Sequence, residues 1–176
     1  KGTFVMRTRV EEYLSRLTSF REEMRSRNIT PSFKLVCARP CVPPVEAAQA
    51  LGLSADQPAY YIERIQLGNG EPFALARGYW RFAIGEQMAK QDLNVMGLYE
   101  ILEAALGIPL VEAEQFIGAA VADADMARKL EVERRSPLLM LRRTSYTTEM
   151  RTVEHNATFY RADRYEYKIR LAREGA

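Results

Sequence analysis

Cysteine and histidine are nearly absent. The 176 residues hold two cysteines, Cys37 and Cys41, and one histidine, His155. Two cysteines four apart, with no second Cys or His pair, build neither a disulfide framework nor a zinc site. They read as ordinary thiols of a reducing compartment. His155 has no Ser nucleophile elbow and no HExxH helix to work with, so it reads as a hydrogen-bonded strand residue. Charge of one sign is also lacking. A net charge of +2, with both signs mixed throughout, argues against a large nucleic-acid surface on this chain itself. No apolar run approaches the ~20 residues of a membrane span. No signal-peptide pattern and no Walker or Rossmann glycine loop is present. Neither a cofactor nor a metal is expected.

What is present is enough for one domain with a sizeable core. Arg7 to Leu17 predicts a linker helix or a short turn. Ser19-Phe20-Arg21-Glu22 is a capping-box pattern, with Ser19 as N-cap and Glu22 at N3. The helix it starts runs to about Arg27, with Asn28 as a left-handed stop before Pro31. Alternation predicts strands over Ser32 to Arg39, Leu110 to Ala122, Pro137 to Tyr146, and Thr152 to Tyr165. Helices are expected from Pro44 to Leu51, Ile84 to Lys90, Leu98 to Leu106, and after Asp123 to Leu130.

The centre of the chain is Ile62 to Trp80, two apolar-rich arms around Asn69-Gly70, a strong hairpin signal. Arg64 sits between isoleucines on one arm. Ala74, Ala76 and Gly78 alternate on the other. A guanidinium beside a row of small residues suits a pocket that grips a carboxylate or phosphate. A helix start such as Ser19-Phe20 presents free N–H groups to an anion. Glu154 and Tyr160 lie six apart on one strand and so share a face. Hairpin-connected strands predict an α+β fold: a largely antiparallel sheet of about six strands with helices packed against it, on one face.

Six motifs in order resemble a known pattern. Lys1-Gly2-Thr3-Phe4-Val5 resembles the end of the winged helix-turn-helix of GntR-type repressors. Leu17 to Met24, Ile62-Glu63-Arg64, Gly70-Glu71-Pro72, Leu98-Tyr99 and Tyr160 to Tyr165 resemble the UTRA effector-sensing domain of the HutC subfamily. The resemblance implies a chorismate-lyase-like fold and a cytoplasmic, homodimeric repressor. Residues 1–17 would be a DNA-binding-domain remnant and linker, and residues 18–171 the sensing domain. DNA would be bound only through the N-terminal domain outside this chain, with no membrane involved and no enzymatic activity.

The resemblance also implies a ligand set: Ser19, Phe20, Arg64, Glu154 and Tyr160 match the residues that hold phosphosugars in relatives. Three positions depart. Gln66 stands for a second Arg, Ala76 for a Glu, and Gly97 for a Ser. The lost charge and hydroxyl favour a small anionic metabolite with a carboxylate over a sugar phosphate. Two hairpin registers are open. A two-residue turn at Asn69-Gly70 pairs Arg64 with Leu75, whereas a three-residue loop with Gly70 in the bulge position pairs it with Ala74. The family's use of Arg64 and Ala76 on one ligand selects the second register. The rivals are a lyase for a small aromatic carboxylic acid, with Arg64 and Glu154 as its binding and acid–base groups, and a dimerisation module with a vestigial pocket.

Overall fold

A computed structural model describes residues 10–13 and 16–168. Their elements are β1 (Val10–Tyr13), α1 (Phe20–Ser26), β2 (Pro31–Cys41), α2 (Val45–Leu51), β3 (Ala59–Gly68), β4 (Glu71–Arg81), α3 (Phe82–Met88), α4 (Leu98–Glu100, continued by a π-helical turn, Ile101–Ala105), β5 (Leu110–Val121), α5 (Ala124–Leu130), β6 (Pro137–Thr147), β7 (Thr152–Arg161) and β8 (Tyr165–Lys168). Six strands form one antiparallel sheet in the order β2-β3-β4-β7-β6-β5. That is the expected α+β architecture. No helix among the described residues is long and apolar enough to cross a membrane.

Local signals explain the boundaries. The Ser19 hydroxyl accepts from the Glu22 N–H, and the Glu22 carboxylate accepts from the Ser19 N–H, so both halves of the capping box form. Asn28, at φ 59°, ends α1. Gly52, at φ 62°, closes α2. Asp123 caps α5 by accepting from the Met126 N–H at 2.8 Å.

Three expectations are corrected. Helices cover both faces of the sheet. Met88 of α3, with Ile101 and Leu102 after α4, packs with Ile62 and Trp80 on one face. Met126, Ala127 and Leu130 of α5 pack with Ile65, Leu75 and Leu138 on the other. Strands buried from both sides explain why β3 reads as nearly continuous burial instead of clean alternation. Second, the stretch read as a linker helix or turn contains β1, which pairs in parallel with β8, Val10 opposite Tyr165. The rest of the proposed remnant, residues 1–9, 14 and 15, lies outside the described residues, as do residues 169–176. Third, the single strand expected from Thr152 to Tyr165 is broken: β7 stops at Arg161 and Tyr165 begins β8. The Arg161 guanidinium donates to Asp163 and to the Pro72 and Leu130 carbonyls at this break.

The central hairpin takes neither of the two registers considered. Asn69 (φ 51°) and Gly70 (φ 82°) form a two-residue turn between Gly68 and Glu71, as a type I′ turn requires. A register shift then falls between Gln66 and Leu67, where Phe73 is the extra residue. Arg64 therefore pairs with Ala76. The three-residue loop is wrong, but the face it was chosen to produce is right: Arg64, Gln66, Ala74, Ala76 and Gly78 all lie on one side of the sheet.

Candidate functional site

That side forms the floor of a cavity with about 760 Å³ of empty volume, its mouth included. The rows of the floor follow from register: Arg64, Ala76, Thr158 and Leu141 across four strands, then Ile62, Gly78, Asn156 and Arg143 beside them. The start of α1 and the turn into α4 close it from above. All eight residues singled out in the sequence line this cavity: Ser19, Phe20, Arg64, Gln66, Ala76, Gly97, Glu154 and Tyr160.

Arg64 is only 2% exposed. Its Nη1 donates to the Leu93 and Met96 carbonyls, each at 2.8 Å, and its guanidinium lies 4.2 Å over the Phe33 ring. Both N–H groups of Nη1 are thereby used. Nε is buried and unpartnered, and no hydrogen bond among the described residues uses Nη2. The Nε–Nη2 edge is the side of a guanidinium that takes a carboxylate or phosphate with two parallel bonds. No carboxylate among the described residues pairs with Arg64. Burial, with Arg21 nearby, pushes its guanidinium below the ordinary arginine range. An anion at that edge relieves both the missing bonds and the uncompensated charge.

Glu154 is 1% exposed. Its Oε1 accepts from the Tyr99 hydroxyl and from Ser145 Oγ, both at 2.7 Å. Burial and Glu154 together raise the Tyr99 hydroxyl, so it stays a donor. Oε2 accepts nothing among the described residues and is available as an acceptor. Tyr160 stacks on Tyr165, ring centroids 4.1 Å apart. The Ser19 hydroxyl donates to Glu22 at 2.7 Å, so the capping box already engages it. Gly97 takes an ordinary φ of −68°, and its N–H donates to Glu100. Gly78 sits in a tight place: a Cβ there would lie 3.0 Å from Trp80 Nε1, a buried donor without a partner among the described residues. Gln66 leaves its Oε1 buried and unpartnered as well.

Sequence reasoning missed Arg143. It reaches the cavity from β6, donating from Nε to Gln115 Oε1 at 2.8 Å, and from Nη1 to the Tyr99 hydroxyl at 3.2 Å and the Thr18 carbonyl at 3.1 Å. Asn156 and Thr158 were also missed, although they share Glu154's face by simple alternation. His155 points to the opposite face, where its Nδ1 lies 2.9 Å from Thr144 Oγ1. Cys37 and Cys41 are free and half-buried. No cluster of three or more His, Cys, Asp or Glu with metal-holding geometry occurs among the described residues.

A family model described as the UTRA domain matches residues 26–166. The HTH-type transcriptional repressor NagR of Bacillus subtilis is 29% identical over 167 residues, 95% of this chain and 68% of its own length. The histidine utilization repressor of Pseudomonas putida is 26% identical over 146 residues, 83% of this chain and 58% of its own. PhnF from Mycobacterium smegmatis superposes with a TM-score of 0.84 at 21% identity, covering 96% of this chain and 74% of that one, a likeness of fold alone. The chain belongs to the UTRA domain family, the sensing-domain family of GntR-type, HutC-subfamily regulators.

Proposed function

We propose that this chain is the effector-sensing domain of a bacterial transcriptional repressor, and that it binds a small metabolite monoanion, a carboxylate in preference to a sugar phosphate. The observation that carries the reading is Arg64: buried, pinned through Nη1, and left with its carboxylate-binding edge unsatisfied. Charge counting supports a single negative charge on the ligand. Arg21 is paired with Glu100, and Arg143 shares the Tyr99 hydroxyl with Glu154. Arg143 and Glu154 thus offset each other through one bridging hydroxyl, and among the described arginines of the cavity Arg64 is the one with neither a direct nor a hydroxyl-bridged carboxylate. The ligand's far end meets Glu154 Oε2 and Asn156, which suit an N–H or O–H group. Ser19, Phe20 and Tyr160 shape the wall, and Gln66, Ala76 and Gly97 mark where the ligand differs from a phosphosugar.

NagR and the histidine utilization repressor are repressors, and this chain spans 68% and 58% of their lengths. DNA is bound, in this reading, by a helix-turn-helix domain outside the chain, in the cytoplasm and without catalysis. A homodimer suits operator half-sites at fixed spacing. The outer strand β5 supports pairing with a second copy: it is twelve residues long and exposes Val111, Phe116, Ile117 and Val121. A ligand shifts such a dimer only through differential affinity, and a coupling of ~1–3 kcal/mol changes operator affinity 5–150-fold. Melting-temperature screening of a metabolite panel tests the ligand class. A clear preference for hexose phosphates over carboxylates contradicts it, and turnover of chorismate would restore the lyase reading.

A further inference from the structure

Arg143 touches two things at once. It faces the cavity beside Asn156, and its Nη1 holds the carbonyl of Thr18, the residue just before the cap of α1. Three elements meet on this guanidinium: β5 through Gln115, α4 through Tyr99, and the segment leading into α1 through Thr18. Its Nη2 donates to nothing among the described residues. The charge is firmly held, since Tyr99, Tyr160 and Glu154 raise it above the ordinary arginine range despite burial.

We propose that Arg143 is a second ligand-reading residue, and that an oxyanion or carbonyl of the ligand competes with the Thr18 carbonyl for it. The proposal rests on the effector-sensing reading above and supplies its lever. A neutral carbonyl accepting at 3.1 Å is the weaker acceptor, because an anionic oxygen adds ion–ion attraction to the charge-assisted bond that the guanidinium already makes. Seating an acceptor at Nη2 swings the planar guanidinium toward the floor and loosens Thr18. A second tether holds the same stretch of chain. Val10 of β1 pairs with Tyr165 of β8, and Tyr165 stacks on the cavity residue Tyr160 while its hydroxyl donates to Glu23 at 2.8 Å. A cavity side chain thus holds Thr18 directly, and Tyr160 backs the β1–β8 pairing that holds Val10.

Hydrogen exchange on the 176-residue chain, with acetate, malonate and inorganic phosphate at tens of millimolar as probes, tests this. In Arg143→Gln, amides of residues 16–20 should exchange roughly tenfold faster, as loss of one charged hydrogen bond implies. Those of residues 139–144 should keep their protection, and Arg143→Lys should fall between. In the wild type, a bound probe should speed residues 16–20, and in Arg143→Gln it should add nothing. Unchanged exchange at 16–20 in Arg143→Gln overturns the tie. A probe that raises the melting temperature through Arg64 without touching residues 16–20 overturns the competition and leaves the proposed function standing. No response to any of the three counts against both.

Discussion

Arg64 stands directly opposite Ala76 on the β3–β4 ladder, and Phe73 is the cause. The turn at Asn69-Gly70 alone would pair Arg64 with Leu75, which lies on the other side of the sheet. One extra residue on β4 moves the pairing by one and turns Ala74, Ala76 and Gly78 toward Arg64. Phe73 itself goes into the core beneath α1, its ring centroid 6.4 Å from that of Phe20. The hollow beside Arg64 is therefore a consequence of register.

Ala76→Glu extends a carboxylate from a Cβ that lies about 4.5–5.5 Å from the Arg64 Cβ across the ladder. It should occupy the Nε–Nη2 edge in place of a ligand. Calorimetry should show carboxylate affinity falling at least tenfold with no loss of melting temperature. Unchanged affinity would place the anion elsewhere.

Gly97→Ser should fold normally. A Cβ there meets only the Arg21 and Glu100 side chains, at 3.6–3.8 Å, and φ suits any residue. Unfolding free energies from denaturant titration should agree with wild type to within ~0.5 kcal/mol. Combined with Gln66→Arg, it should shift ligand preference toward hexose phosphates, as read by the ratio of affinities for a hexose 6-phosphate and a carboxylate.

Much of this was legible because local signals and global fold agree: the Ser19 cap, the Asn69-Gly70 turn and the Asp123 cap each fixed an element, and alternation put Glu154 and Tyr160 on one face. Arg143 was not legible. Arg142 and Arg143 are adjacent on a strand, so one must face each side, and nothing local says which. Arg142 reaches Glu46 of α2 on one side of the sheet, and Arg143 reaches the cavity on the other. Only the β6–β7 register, Ser145 opposite Glu154, decides it. The Phe73 bulge was hidden for a related reason. It is set by packing beneath α1, distant in sequence, and leaves no turn signature.

Gly85→Ala should destabilise the domain. A Cβ at this position would sit 2.3 Å from Tyr60 Cβ and 3.2 Å from Trp80 Cβ, both held by the sheet, so α3 must move. A loss of about 1–3 kcal/mol in urea denaturation is expected from overpacking of this kind. A stability equal to wild type would mean that α3 does not lie this close to β3.

His155 should make stability fall on mild acidification. Burial lowers its pKa below the ordinary 6.5, with the Glu46 charge opposing more weakly. The unfolded chain then binds a proton at a pH where the folded chain does not, so stability drops as pH falls through the ordinary histidine range. His155→Gln should flatten the melting-temperature slope between about pH 7.5 and 5.5. An identical slope would show that other groups set it.

The most direct test is calorimetric titration of the tightest-binding carboxylate from the metabolite screen into wild type, Arg64→Lys and Arg64→Ala. Lysine keeps a positive charge but not the two-bond edge, so the account predicts at least a tenfold loss in Arg64→Lys and a larger one in Arg64→Ala, with all three proteins folded. Wild-type affinity in Arg64→Lys would contradict it, because a point charge would then suffice where the account requires the side-on pair of N–H groups.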